Sequence, residues 1–215
     1  MQHSNRIRSL LVLHGVEVEL TRDGFDETLQ QVRRLNGQPL DDWLQAEILR
    51  QYQRWQLVMS QLSELEKKRR DLLKQDDAPA SVRKARRMQQ LKGIGENTAW
   101  VLSMEFFGWR QFANRRQVGA LAGLSPTPWI SDGTCREQGI GKSGNRRVRS
   151  MIVEVSWLWL RYQPTSALSR WFQQRFGSGG KRMRRVGIVA LARKLLVALW
   201  HYVEHGVLPD GAVEA

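Results

Sequence analysis

A chain of 215 residues, 41 % of them hydrophobic, has room for one ordinary domain plus an extension and enough apolar side chains for a core. Its 34 Lys and Arg against 21 Asp and Glu leave a formal charge of +13, which favours a polyanionic partner, nucleic acid first among them, over the plain alternative of a solvated basic surface. The lone cysteine, Cys135, excludes an internal disulfide and a Cys-rich zinc site; no signal-peptide pattern or bilayer-length apolar run is read, so the expected setting is the cytoplasm.

The predicted elements are helical throughout. Residues 4–14 carry Ile7, Leu10, Leu11 and Leu13 on one side and end at Gly15; a second short helix is expected near Phe25 to Leu35, and Asn36-Gly37 with Pro39 breaks the chain. From Leu40 a helix of about nine turns follows, with Leu44, Ile48, Tyr52, Trp55, Met59, Leu62, Leu65 and Leu72 as a coiled-coil-like seam. Such a seam needs a partner, either the Met1 to Leu35 region folded back on it or a second copy of the chain. Asp76-Asp77-Ala-Pro79 stops it. Helices are then expected over Ser81 to Met88, Thr98 to Phe107, Phe112 to Leu121 and most of the last third, with Thr127 to Gly141 an irregular loop and Gly177 to Arg185 flexible and basic. Trp157, Trp159, Trp171 and Trp200, at helical spacing among aliphatic residues, are expected in the core. No strand run stands out. The expected fold class is all-α, a coiled-coil-like segment over 1–77 followed by a helical domain over 78–215.

Two stretches invite a chemical reading. Gly93-Ile-Gly95, between two predicted helices, has the composition of a helix-hairpin-helix turn, whose backbone N–H groups suit a phosphate oxygen; a tight connection without ligand is the alternative. Lys92 just before it and Arg83, Lys84, Arg86 and Arg87 upstream favour the phosphate. Farther on, Arg146, Arg147 and Arg149 open an amphipathic helix next to the loop that holds Ser131. By composition Ser131 is a solvated turn residue. Trp129 beside it suits either stacking on a base or packing under the loop.

The order Gly93-Ile-Gly95, Ala122-Gly-Leu-Ser-Pro126, Arg136-Glu-Gln-Gly-Ile140, Lys142, Gly144-Asn-Arg-Arg-Val-Arg149, Trp159-Leu-Arg-Tyr-Gln-Pro164, Ser166-Ala-Leu-Ser-Arg-Trp-Phe172 and Gly187-Ile-Val-Ala-Leu-Ala-Arg-Lys194 resembles the C-terminal half of insertion-sequence transposases of the IS-110/IS-1111 type. The resemblance implies a DNA-recombining enzyme in which Ser131 attacks a phosphodiester and forms a transient phosphoserine link. Arg136, Lys142, Arg146 and Arg147 would offset charge at the phosphorus, and with Lys92, Gly93, Ile94, Gly95 and Arg149 they are the residues expected to hold DNA. Relatives carry glycine directly after that serine, whereas Asp132 and then Gly133 follow here, and an aspartate there repels phosphate unless a cation intervenes. The resemblance further implies a structured guide RNA as partner. It also implies a separate acidic domain, like a Holliday-junction resolvase, that binds magnesium; Asp23, Asp26, Glu27, Asp41 and Asp42 lack the strand context for that role, so no metal ligand or cofactor is assigned to this chain.

Other classes are weighed on the same residues. A serine hydrolase requires a Gly-X-Ser-X-Gly elbow and a histidine partner; no elbow exists, and His3, His14, His201 and His205 lie at the chain ends. A non-catalytic nucleic-acid binder, or a truncated transposase competing with the intact enzyme, accounts for charge, hairpin and long helix without asking anything of Ser131.

Overall fold

The computed structural model describes residues 2–131 and 134–215, with backbone alone over 128–131 and 134–138. Among these it is mainly helical, in the order α1 (Gln2–Leu13), α2 (Phe25–Gln31), α3 (Asp42–Lys74), α4 (Ala80–Gln89), α5 (Glu96–Leu102) continued by a π-helical turn (Ser103–Phe107), α6 (Arg115–Leu121), β1 (Pro126–Ser131), β2 (Thr134–Ile140), α7 (Arg146–Tyr162), α8 (Ala167–Phe176) and α9 (Lys181–His205). The chain divides into two compact units, Met1–Asp71 and Leu72–Ala215.

In the first unit, α1, α2 and the start of α3 bury Ile7, Leu11, Phe25, Leu29, Leu44, Ile48 and Tyr52 together. Gly15, at φ 72°, takes the left-handed conformation that ends α1 without steric cost. Tyr52 donates its hydroxyl to the Arg22 carbonyl (2.7 Å), which satisfies the polar end of an otherwise apolar contact with Phe25. The expected seam therefore divides. Its first part is covered within the chain, whereas Leu62 and Leu65 keep 46 % and 62 % of their surface, and Leu57 and Val58 beside them are also exposed.

The second unit is built on α9 and α7. Ile152, Val155 and Trp159 of α7 pack with Leu195, Leu196 and Leu199 of α9, and Met88, Leu102, Phe106 and Val118 close over them. Trp159 is fully buried and donates its ring N–H to Ser166 Oγ (2.9 Å); that hydroxyl also caps α8 by accepting from the Ser169 N–H. Because helices cover α9 on several sides, it is apolar nearly all round. Its length and a mean hydropathy of 1.5 over its most apolar 18 residues match those of a membrane span, contrary to the expectation that no stretch does, but 56 % of that window is buried inside the protein.

Three further expectations change. Thr127 to Gly141 is not irregular: β1 and β2 pair antiparallel, with Trp129 opposite Arg136 and Ser131 opposite Thr134. Thr127, Trp129 and Ile130 favour extended backbone, and a two-stranded ribbon has free outer edges where prolines forfeit no ladder bond; the register shift between Pro126 and Pro128 absorbs the rest. Residues 181–185 are the first turn of α9 rather than a flexible segment. Trp157, expected in the core, keeps 41 % of its surface at the edge of Phe172.

Candidate nucleic-acid interface

The base of the β-hairpin is closed by hydrogen bonds between 121–125 and 141–145. The Gly141 N–H donates to the Ser125 carbonyl (2.9 Å), the Lys142 N–H to Gly123 (3.3 Å) and the Asn145 N–H to Leu121 (2.9 Å). Gly144 is required here, since at φ 108° a Cβ would also run into the Leu121 carbonyl. The Arg149 guanidinium donates to the carbonyls of Ala122 (3.2 Å) and Lys142 (3.0 Å), so it braces both strands' roots from inside α7. Lys142, at φ 53°, is the one non-glycine residue of left-handed conformation among the described residues, and its side chain is exposed.

α7 starts immediately after this knot. Asn145 caps it, its side-chain oxygen accepting from the Arg147 and Val148 N–H groups. The same side chain donates to Glu105 (3.3 Å), and Arg147 donates to the other oxygen of that carboxylate (2.6 Å). Glu105 is thus a partner of the arginine-led helix start that the sequence did not single out. A signal existed: it is the single acid between Glu96 and Asp132, in a stretch rich in arginine. Arg146 stays exposed, and a shallow groove of about 440 Å³ runs past it, Arg147, Ser150, Met151 and Glu154.

Of the residues singled out for DNA, then, Lys142 and Arg146 present exposed cations, Arg147 is held by Glu105, and Arg149 is spent on carbonyls. The side chains of Ser131 and Arg136, like Trp129 and Asp132, lie outside the described residues. The backbone does set Ser131 at the end of β1, opposite Thr134.

The glycine turn lies between α4 and α5. Gly93 has φ 95° and packs against Tyr162 of α7, where a Cβ would come within 3.2 Å of the tyrosine's own; Ile94 is buried. The Lys92 N–H donates to the Val213 carbonyl (3.1 Å) and the Ile94 N–H to Leu91 (3.0 Å), so two of the turn's donors are used internally. Buried Gln163 locks the arrangement. Its amide donates to the carbonyls of Lys92 (2.9 Å) and Val213 (2.7 Å) and accepts from the Val213 N–H (2.8 Å). What faces solvent is Gly95, which starts α5, and the Lys92 side chain. Among the described residues no three of His, Cys, Asp and Glu come together as a metal-binding group.

The stretch that holds the glycine turn, the braced hairpin and the arginine-led start of α7 is also the one that matches a known family. Residues 85–171 match the model of the transposase IS116/IS110/IS902 family, and it is this family that the chain resembles. Two relatives extend the likeness over the whole length. "Putative transposase y4rJ" of Sinorhizobium fredii is 42 % identical across 99 % of this chain and 56 % of its own length. The transposase for insertion sequence element IS1328 of Yersinia enterocolitica is 26 % identical across 97 % of this chain and 64 % of its own. The chain spans between half and two thirds of the length of these relatives.

Proposed function

We propose that this chain is the DNA-gripping and nucleophile-bearing part of an insertion-sequence recombinase acting in the cytoplasm, and that Ser131 is the nucleophile. In this reading the Ser131 oxygen bonds to a backbone phosphorus as the bond to one sugar oxygen breaks. The serine proton leaves to solvent or a base, and the departing oxygen is protonated. Cations around the hairpin offset the charge that builds on the phosphorus. The observation that carries the reading is the knot at the hairpin's base: three backbone hydrogen bonds and the Arg149 brace fix the root of the strand whose far end is Ser131, and the exposed Lys142 and Arg146 stand at that root. Lys92 and Gly95 supply a second backbone grip of helix-hairpin-helix type, and a second copy of the chain covers the exposed Leu62 and Leu65 stripe of α3. The magnesium-binding acids belong to a part of the recombinase not represented in these residues, and no step is assigned to them.

The test is to incubate the protein, supplied with an acidic domain of the family, with end-labelled element-junction DNA and to look for an adduct that resists SDS. Loss of the adduct in Ser131→Ala supports the assignment, and an adduct that survives removes Ser131 from the mechanism. A non-catalytic binder gives salt-sensitive DNA binding and no adduct in either protein.

A further inference from the structure

The segment joining the π-helical turn to α6 holds an arrangement that packing does not explain. Trp109 keeps 64 % of its surface, although burying an indole is among the most favourable things a helical domain can do with one. The Arg110 guanidinium lies over the ring, 4.2 Å from its centroid, so one face of the indole is taken and the rest stands open. Arg110 Nε is screened from solvent and has no hydrogen-bond partner among the described residues. Both residues line a shallow, open cleft of about 600 Å³ together with Gln111, Phe112, Gln117, Leu121, Ser143 and Gly144.

The walls are fixed from behind. Phe112 turns inward onto Phe106 (5.0 Å between ring centres) and Trp200 (6.4 Å), which pins the chain three residues beyond the indole. Asn114 caps α6, and Gln117 accepts from the Ala113 N–H (2.9 Å), so the loop is tied again before the helix begins. On the opposite side Ser143 and Gly144 belong to the knot at the hairpin's base. An open indole, a guanidinium and neutral amides on a rigid floor match a flat, heteroaromatic, hydrogen-bonding ligand on an anionic chain.

We infer that this cleft receives one unstacked nucleobase of a nucleic-acid strand, with Trp109 as the stacking platform and Arg110 and the glutamines meeting the base edge. The inference rests on the proposed function. It adds to a phosphate grip that is indifferent to base stacking a site that requires a base to be out of its stack. A strand whose base is swung into the cleft is thereby held in a distorted form next to the hairpin root.

The experiment compares three probes of matched charge for the full 215-residue chain: a blunt duplex, a short single strand of mixed sequence, and the same strand built from abasic units. The base-bearing strand is expected to bind about tenfold tighter than its abasic twin. Trp109→Ala should bring that ratio close to one and leave duplex affinity and its salt dependence unchanged, Trp109→Phe should keep part of it, and Arg110→Gln should lower it. Deoxyribose and ribose strands run side by side name the source of the base, because the larger ratio marks the preferred sugar. Equal binding of base-bearing and abasic strands, or a ratio that survives both Trp109→Ala and Arg110→Gln, overturns the inference. So does an equal loss on all three probes, which would make Trp109 a structural residue. If neither duplex nor strand binds at all, the proposed function itself fails, a different result from a duplex bound without any base preference.

Discussion

Four arginines and lysines around the hairpin root do different work, and substitutions can separate them. Arg149 donates to two carbonyls, so Arg149→Ala should cost stability of about 1.5–3 kcal/mol, as expected for hydrogen bonds from a charged group, measured by chemical denaturation. Arg147 is neutralised by Glu105 on a largely exposed surface. Glu105→Gln keeps an acceptor for Asn145 and frees the guanidinium. Stability should stay within about 1 kcal/mol, while the slope of log affinity for duplex DNA against log salt steepens by about 0.9, the value of one added phosphate contact. A slope that does not move would show that Arg147 never meets phosphate. Gly144→Ala should destabilise by more than about 1 kcal/mol, because the positive φ and the Leu121 carbonyl both oppose a Cβ.

At the level of elements, what was legible in the sequence followed local chemistry. The helix start at Arg146 and the break at Gly15 after α1 fall where they were expected, and Asn145 caps that start; Pro79, expected to stop the long helix, instead stands at the start of α4, five residues beyond Lys74. The hairpin was hidden by its two prolines, which argue against a strand only when both of its edges are paired. The long helix was legible, its covering only in part: periodicity along α3 marks an apolar face without telling which turns α1 and α2 reach. If a second copy seats on the rest, Leu62→Glu with Leu65→Glu should reduce the sedimenting mass to that of a monomer and leave the helix content unchanged; a wild-type protein that already sediments as a monomer would refute the pairing. The tail offers a pH test. Burial, with the Glu214 carboxylate next, raises the pKa of the Tyr202 phenol, which donates to Gln90 (3.2 Å) and Glu214 (3.3 Å). The neutral phenol is therefore the form the fold favours, and its contribution is whole below about pH 10, the unfolded value. It fades as pH rises through the raised folded value, so wild type should lose stability on that alkaline limb and Tyr202→Phe should lose less.

For the molecule as a whole, the candidate site was visible as a string of motifs but not as a division of labour. Nothing in the spacing of Gly93-Ile-Gly95 tells that Gln163 and the tail would use its backbone from behind, or that Glu105 would reach across to Arg147, because those partners lie 71 and 42 residues away in sequence. The net charge of +13, by contrast, was plain, and the structure leaves Lys92, Lys142, Arg146 and the first turn of α9 exposed to use it. The account stands on that surface gripping a sugar-phosphate backbone, so the most direct test is a salt titration of duplex binding by the intact chain. Four phosphate contacts give a slope of log affinity against log salt of about −3.6. A slope at least that steep is predicted; an affinity unchanged between low and moderate salt would contradict it.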